Sequence, residues 1–158
     1  MVRRSCIAAA ALLLSACASH HGLVGSPAPQ WTLPTTTGTK LSMSTFKGQP
    51  VYLNFFATWC PPCNDEAPGV NALQKKYAAS GLRVIGIDEL EDAKRAQSFV
   101  RKFGLTYPAV IDDGTLEDAY AVNGLPVHVF ISRDGIIRQI KAGEMNKAQI
   151  EQSIRALL

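Results

Sequence analysis

The sequence is poor in the residues and patterns that mark several common protein classes. Its 158 residues include only four cysteines and three histidines, and 16 Lys and Arg nearly balance 13 Asp and Glu. This weak balance gives no reason to expect nucleic-acid binding or a polybasic membrane patch. We find no internal repeat and no low-complexity segment. The hydrophobic fraction of 47% instead indicates one domain of ordinary size with a substantial core.

The longest apolar run lies near the N-terminus and has the form of an export signal. Arg3 and Arg4 precede apolar residues 7–14, a stretch that is too short to span a bilayer comfortably. The run ends in Leu14-Ser15-Ala16-Cys17, which resembles the lipobox of bacterial lipoproteins. We therefore predict that residues 1–16 are a lipoprotein signal peptide and that Cys17 is acylated, for example with palmitate.

An ordinary signal peptide is the alternative, with cleavage near Ala16 or Ala18 and an incidental cysteine. Removal of residues 1–16 takes away Arg3 and Arg4, so the net charge falls from +3 to +1. Membrane attachment is then expected to come through lipid alone.

Residues 17–30 are small, polar and rich in Pro and Gly, which predicts a flexible tether before a domain at 31–158. His20 and His21 lie in this tether. A solvated pair is favoured there over metal ligands, because no partner ligands lie nearby in the sequence.

The segment Cys60-Pro61-Pro62-Cys63 organises the rest of the chain. It follows the apolar run of residues 51–56, which predicts a buried strand, and it leads into helical periodicity. Unpaired N–H groups in the first helical turn concentrate partial positive charge, which would stabilise a thiolate at Cys60. The two prolines suit the first helical positions. We predict that Cys60 is an exposed nucleophile with a lowered pKa and that Cys63 is the shielded resolving thiol.

Two other uses of the cysteine pair remain open. A zinc site needs two further ligands at matching spacing, and the histidines include no second pair of that kind. A purely structural disulfide is disfavoured because the short loop that it closes removes little entropy from the unfolded chain.

Periodicity predicts strands that alternate with helices, then a hairpin at Arg133-Asp134-Gly135 and a final helix. This pattern implies an α/β fold with a central mixed β-sheet flanked by helices. The cysteines would lie at the carboxyl end of a central strand, where open α/β sheets place their sites. A hairpin is predicted at 31–43. Strands are predicted at 82–88, 107–111, 127–132 and 136–140. Helices are predicted at 61–80, ending at Gly81, at 93–103, at 116–121 and from Asn146 onward, with Gln149 as capping-box partner.

From about Gly25 to the C-terminus the chain resembles the thioredoxin-like fold, in particular extracytoplasmic thiol:disulfide oxidoreductases of the TlpA and ResA type. The resemblance implies an N-terminal β extension and an inserted strand and helix within about residues 82–122. Several separate motifs carry it: Ser26-Pro27-Ala28-Pro29, residues 54–63, Glu66-Ala67-Pro68, residues 104–108, Gly124-Leu125-Pro126 and Asp134-Gly135.

The resemblance also implies roles for individual residues. Leu125-Pro126 matches the cis-proline loop beside the cysteines, and Trp59, Pro61 and Leu125 are expected to contact substrate. Glu66 matches an acidic residue that could take the proton of Cys63, although a solvated helix residue is the simpler interpretation.

Two positions depart from related patterns. Asn54 stands where thioredoxin has a buried aspartate, which makes Glu66 the better proton acceptor. His128 falls where the family usually has a small hydroxylated residue. A buried structural histidine is favoured there over a titrating group.

We therefore expect a protein-disulfide oxidoreductase without cofactor or metal. It would reduce disulfides in exported proteins, with apocytochrome c as one candidate client, and a membrane-embedded thiol donor would re-reduce it. It is expected to be a monomer, lipid-anchored to the bacterial envelope and facing the periplasm or exterior.

Three alternatives to this function stay open at this point. The chain could be a net thiol oxidant of the same fold. It could be a thiol metallochaperone that is not an enzyme. A peroxiredoxin is disfavoured because the Pro-x-x-x-Thr-x-x-Cys pattern is absent: Leu53 and Ala57 occupy those positions.

Overall fold

The computed structural model of the protein describes residues 22–158, in which strands and helices alternate. The predicted signal peptide 1–16, the predicted lipidation site Cys17, and His20 and His21 lie outside the described residues. The elements in chain order are β1 Thr32–Pro34, β2 Lys40–Ser42, β3 Val51–Phe56, α1 Pro61–Tyr77, β4 Arg83–Glu89, α2 Ala93–Phe103, β5 Ala109–Asp112, α3 Thr115–Tyr120, β6 Val127–Ile131, β7 Ile137–Ala142 and α4 Lys147–Arg155, with 3-10 turns at Met43–Phe46 and Ala78–Ser80.

A five-stranded mixed sheet forms the centre of the fold, in the order β5-β4-β3-β6-β7. The strands β3, β4 and β5 run parallel, whereas β6 is antiparallel to both β3 and β7. A separate antiparallel hairpin of β1 and β2 precedes it. The predicted fold class, a central mixed sheet flanked by helices, is confirmed. Residues 82–122, within which an inserted strand and helix are expected, contain β4, α2, β5 and α3.

Each face of the sheet is covered by a different set of elements. Side chains alternate along a strand, so one face of β3 and β6 packs against the hairpin and α3, and the other packs against α1, α2 and α4. Both faces are buried, which explains why β3 is buried along its whole length. Within residues 22–158 no helix combines the length and hydropathy needed to cross a membrane.

The helix boundaries follow local capping chemistry. Gly81 and Gly104 both adopt left-handed backbone conformations after helical segments, with φ of 91° and 56°. Asn146 caps α4 and forms a capping box with Gln149, as predicted. The predicted helix over 61–80 divides into α1 and a 3-10 turn, because Tyr77 leaves the α-helical conformation with ψ of 4°.

The packed domain begins before Trp31. In the segment predicted as tether, the Gly25 N–H donates to Ile137 O at 2.8 Å and the Ala28 N–H donates to Gly135 O at 2.9 Å. Ala28 is buried in the core beside the hairpin. The prediction of a flexible tether is therefore wrong for residues 25–28, because long-range backbone pairing with the β6–β7 turn and β7 holds them.

Candidate active site

Cys60 and Cys63 form a disulfide at the end of β3, where the chain enters α1. Their S–S distance is 2.06 Å and their Cα atoms lie 5.3 Å apart. Cys60 is the N-cap residue, and the prolines that follow occupy the first positions of the helix. The strand-to-helix placement predicted from the sequence is confirmed.

The start of α1 directs a hydrogen-bond donor at Cys60. The backbone N–H of Cys63 donates to Cys60 Sγ over 3.3 Å. Together with the partial positive charge at the helix N-terminus, this donor would favour negative charge on the Cys60 sulfur when the disulfide opens. The arrangement can therefore stabilise Cys60 as a thiolate.

Both sulfur-bearing residues are buried in the disulfide form: Cys60 is 2% exposed and Cys63 is 4% exposed. The expectation that Cys60 is exposed is therefore wrong for this oxidised state. Apolar side chains surround the pair, among them Phe56, Ala67 and the partly buried Leu125.

Several groups brace the loop before α1. The N–H and hydroxyl of Thr58 both donate to the Glu91 carboxylate, at 2.6 and 2.7 Å. The Asn64 amide donates to Thr58 O and Cys60 O, at 3.0 and 2.8 Å. Neither set of contacts was predicted from the sequence, and Glu91 lies far along the chain from Thr58, in the loop between β4 and α2.

The surface above the disulfide presents two of the three residues expected to contact substrate. The Trp59 side chain is 67% exposed and Pro61 is also exposed. Leu125, the third, is half-buried beside the cysteines. The Leu125–Pro126 peptide bond is cis, which confirms the expectation from the resemblance.

Glu66 is buried rather than solvated, which overturns the simpler interpretation of this residue. Its Oε1 accepts a hydrogen bond from the Met145 N–H at 2.6 Å. Its Oε2 lies 3.5 Å from Nε2 of His128. Because it follows Cys63 by three residues on α1, the carboxylate lies about one helical turn from the resolving cysteine.

His128 is fully buried, as favoured from the sequence, and it joins Glu66 to a tyrosine. The Tyr52 hydroxyl lies 2.7 Å from His128 Nδ1. Burial, with the Glu66 carboxylate as the second cause, holds the pKa of Tyr52 well above its ordinary value. This connection has no local signal in the sequence, because it depends on the pairing of β3 with β6.

Asn54 and Asp88 are further polar residues buried on this face. Asn54 lies opposite His128 in the sheet register, and Asp88 lies opposite Phe56. Burial, and then the nearby Glu91 carboxylate, raise the pKa of Asp88 to about 8. A proton is therefore retained on Asp88 at neutral pH.

The described residues contain no group of three or more His, Cys, Asp and Glu side chains arranged to hold a metal ion. In residues 22–158 the thiols thus have no second set of ligands with which to form a zinc site of four residues.

Known proteins similar to this chain share both its fold and its cysteine chemistry. The sequence pattern of the AhpC/TSA family matches residues 24–140. Thiol-disulfide oxidoreductase ResA of Bacillus cereus (strain ATCC 10987) is 36% identical over 136 residues, which cover 85% of this chain and 78% of that protein.

Two solved structures extend the comparison. A thioredoxin-family thiol:disulfide interchange protein from Chlorobium tepidum TLS superposes with a TM-score of 0.78 at 28% identity, covering 83% of this chain and 94% of that one. A secreted Mycobacterium tuberculosis disulfide oxidoreductase gives a TM-score of 0.75 at 29% identity, covering 81% and 96%. The chain therefore belongs to the AhpC/TSA family and, within it, to the ResA-like thiol-disulfide oxidoreductases of the thioredoxin fold.

Proposed function

We propose that the protein works as an extracytoplasmic reductant of disulfides in exported proteins. In the reduced protein, the Cys60 thiolate attacks a partner disulfide, and one partner sulfur leaves as a thiolate. The Cys63 thiolate then attacks Cys60 Sγ, which breaks the mixed disulfide and forms the Cys60–Cys63 bond. Two electrons pass to the partner, and a dithiol donor must later return two electrons to this protein.

The observation that carries the exchange chemistry in this proposal is the donor at the start of α1. The Cys63 N–H points at Cys60 Sγ, within a disulfide of only four residues. A structural bridge would gain little from so short a loop. A thiol at this position gains acidity and leaving-group quality, which both directions of exchange require.

Glu66 is proposed as the group that accepts the Cys63 proton. Cys63 must lose its proton before it can attack, and a carboxylate about one turn along the same helix is suitably placed to receive it. Its burial beside the disulfide keeps water from competing for that proton. Asn54, although buried on the same face, cannot act as a base, because an amide does not take up a proton at neutral pH.

The partner is proposed to bind in an extended conformation along the Leu125–Pro126 loop. Within the described part of the chain, the backbone N–H and C=O of Leu125 form no hydrogen bond to another backbone group outside the strands. An extended segment can pair with such a free edge. Trp59 and Pro61 would then cover the bound segment from the side of α1.

The cellular setting is proposed from the N-terminus and from the relatives. Cys17 would carry the lipid anchor, and a membrane-embedded thiol donor would re-reduce the domain. The similar Mycobacterium tuberculosis protein is described as secreted. An exported apocytochrome c is a client of suitable chemistry, because its haem-binding cysteines must be reduced before haem attachment. The domain is proposed to act as a monomer.

The test is insulin reduction in dithiothreitol, followed by measurement of the potential of the Cys60–Cys63 couple against glutathione. A reductant should accelerate insulin precipitation and have a potential nearer to about −270 mV, the value for thioredoxin, than to about −120 mV, the value for a strong oxidant. Full activity in Cys60→Ser would contradict the exchange chemistry. A potential near that of the strong oxidant would contradict the direction alone.

A further inference from the structure

Three buried side chains behind the disulfide form a continuous polar row across two strands and a helix. Tyr52 from β3 lies against His128 from β6, and His128 lies against Glu66 from α1. The distances are 2.7 Å from the tyrosine oxygen to Nδ1 and 3.5 Å from Nε2 to Glu66 Oε2. A row of this kind is costly to bury unless its members satisfy one another.

The direction of the hydrogen bonds follows from the chemistry of the tyrosine. Because the pKa of Tyr52 is held far above its ordinary value by burial and by the charge of Glu66, Tyr52 keeps its proton. A neutral imidazole that accepts a hydrogen bond from the tyrosine O–H at Nδ1 carries its own hydrogen on Nε2. That hydrogen is then on the side of the ring that faces Glu66.

Both atoms of the longer contact lack a hydrogen-bond partner in the domain that the structure describes. Glu66 Oε2 and His128 Nε2 are both buried and form no hydrogen bond elsewhere within residues 22–158. They face each other at 3.5 Å, and catalytic hydrogen bonds are often long in resting structures and shorten during reaction. Each of the two atoms is thus free to form a hydrogen bond with the other.

The surroundings add few competing charges. Cys63 lies one turn before Glu66 on α1, and Tyr107 from the turn before β5 has its pKa raised by burial and by the Glu66 charge. The Met145 N–H approaches Glu66 from the loop before α4. Asn54 from β3 and the exposed Lys141 from β7 lie opposite His128 in the sheet register.

We propose that His128 is a positioning residue for proton transfer from Cys63 to Glu66, a role that rests on the exchange chemistry proposed above. His128 Nε2–H donates to Glu66 Oε2 and thereby aims the carboxylate and compensates its charge. Tyr52 holds the imidazole in the tautomer that can donate. When the mixed disulfide is resolved, the Cys63 proton goes to Glu66, the Cys63 thiolate bonds to Cys60 Sγ, and the partner sulfur leaves as a thiolate.

The experiment separates the two sulfur steps with the small disulfide 5,5′-dithiobis(2-nitrobenzoate) in single-turnover reactions of the reduced protein. The first thionitrobenzoate is released when Cys60 attacks, and the second when Cys63 resolves the mixed disulfide. Cys63→Ser identifies the phases, since it should give the first phase only. Rates are followed from about pH 6 to about pH 9, a range that spans the ordinary thiol pKa of about 8.5.

His128→Leu should slow the second phase roughly tenfold near neutral pH, a fraction of the 10²–10⁴-fold typical of general acid–base catalysis, and leave the first phase unchanged. The difference should disappear near pH 9, where the Cys63 thiol ionises without help. His128→Gln, which keeps an N–H donor near the Nε2 position, should restore most of the rate.

Tyr52→Phe should slow the same phase by a smaller factor, because the imidazole loses only the group that selects its tautomer. Tyr120→Phe is the matched control. Tyr120 is equally buried, on the opposite face of the sheet, and its hydroxyl has no hydrogen-bond partner in the described part of the chain, so both phases should keep their rates. Tyr52→Phe carries the test if His128→Leu does not fold.

Several results would overturn this role for His128. They are a folded His128→Leu with the wild-type second phase, a slowing that is equal at every pH, a His128→Gln variant as slow as His128→Leu, or a Tyr52→Phe variant with the wild-type rate. If Glu66→Gln still shows a slow second phase, each of these results would leave the proposed function intact. Failure of the wild-type protein to release the second thionitrobenzoate would instead remove the exchange chemistry itself.

Discussion

The two faces of the central strands β3 and β6 differ in what they bury. On the face toward the hairpin and α3, every inward residue of these strands is apolar: Val51, Leu53, Phe55, Val127, Val129 and Ile131. On the face toward α1, α2 and α4, the inward residues include Tyr52, Asn54 and His128 beside Phe56 and Phe130. The two faces belong to the same strands and are equally shielded from water.

This difference indicates that the two faces serve different purposes. An apolar face gains stability from burial alone. Buried polar groups contribute little net stability, since each exchanges hydrogen bonds with water for hydrogen bonds within the protein. The polar groups of β3 and β6 are confined to the face that carries the disulfide, so we attribute them to redox chemistry, and the apolar face to stability.

The largest expected effect is on the apolar face. Leu53→Ala should lower the free energy of unfolding by about 2–5 kcal/mol, because a fully buried leucine leaves a cavity between the sheet and the hairpin. Urea unfolding measures this change. The rate of disulfide exchange per folded molecule should stay near that of the wild type, and a selective loss of rate would break the assignment of this face to stability.

Glu66→Gln should have the opposite effect to Leu53→Ala: a lower exchange rate with little change in stability. The amide keeps an oxygen that can accept from the Met145 N–H but cannot take up a proton, so the rate at which Cys63 resolves a mixed disulfide should fall by about 10²-fold near neutral pH. Stopped-flow kinetics measure the rate, and urea unfolding should show only a small change. A large loss of stability with an unchanged rate would assign Glu66 to structure.

Asp88 should make stability depend on pH in a defined direction. The unfolded chain releases this proton near pH 4 and the folded protein near pH 8, so the folded state holds the extra proton between these values. Stability from this group is complete below about pH 4 and is lost as the pH rises to about 8 and above. Asp88→Asn should therefore flatten the decline, which thermal unfolding across this range measures.

Glu89 offers a comparison from the opposite face of β4. Burial, and then Asp112, raise the pKa of Glu89 to about 8 as well. Glu89→Gln should flatten the same part of the stability profile without changing exchange rates. If neither substitution changed how stability depends on pH, these two carboxyl groups would not be the source of that dependence.

The smallest effect on stability is expected at Trp59. This side chain is mostly exposed, so Trp59→Ala should change the free energy of unfolding by no more than about 0.5 kcal/mol. Insulin reduction should slow because the substrate loses an aromatic contact, whereas the reaction with a small disulfide should be almost unaffected. Equal slowing with both substrates would argue against a docking role for Trp59.

Local signals in the sequence predicted much of this molecule. The apolar run before Cys60, the prolines after it and the capping box of Asn146 and Gln149 depend on neighbouring residues, and each formed as predicted. The cis bond before Pro126 was accessible only through resemblance, since an isolated sequence favours trans.

Most of the features that were missed depend on residues far apart in the chain. The approach of His128 to Tyr52 and Glu66 requires the register of β3 with β6 and the packing of α1 on that face. The bonding of residues 25–28 to the β6–β7 turn and β7 likewise has no local signal. Periodicity specifies which side of an element is buried, but it does not specify which polar groups meet there.

The most direct test of the account is to trap the mixed disulfide. Reduced Cys63→Ser protein is mixed with a disulfide-bearing protein such as insulin, and covalent adducts are resolved on a non-reducing gel. The account predicts an adduct through Cys60 that dithiothreitol removes, and no adduct with Cys60→Ser. Adducts formed equally well through Cys63, or none with either variant, would contradict the assignment of Cys60 as the sulfur that attacks first.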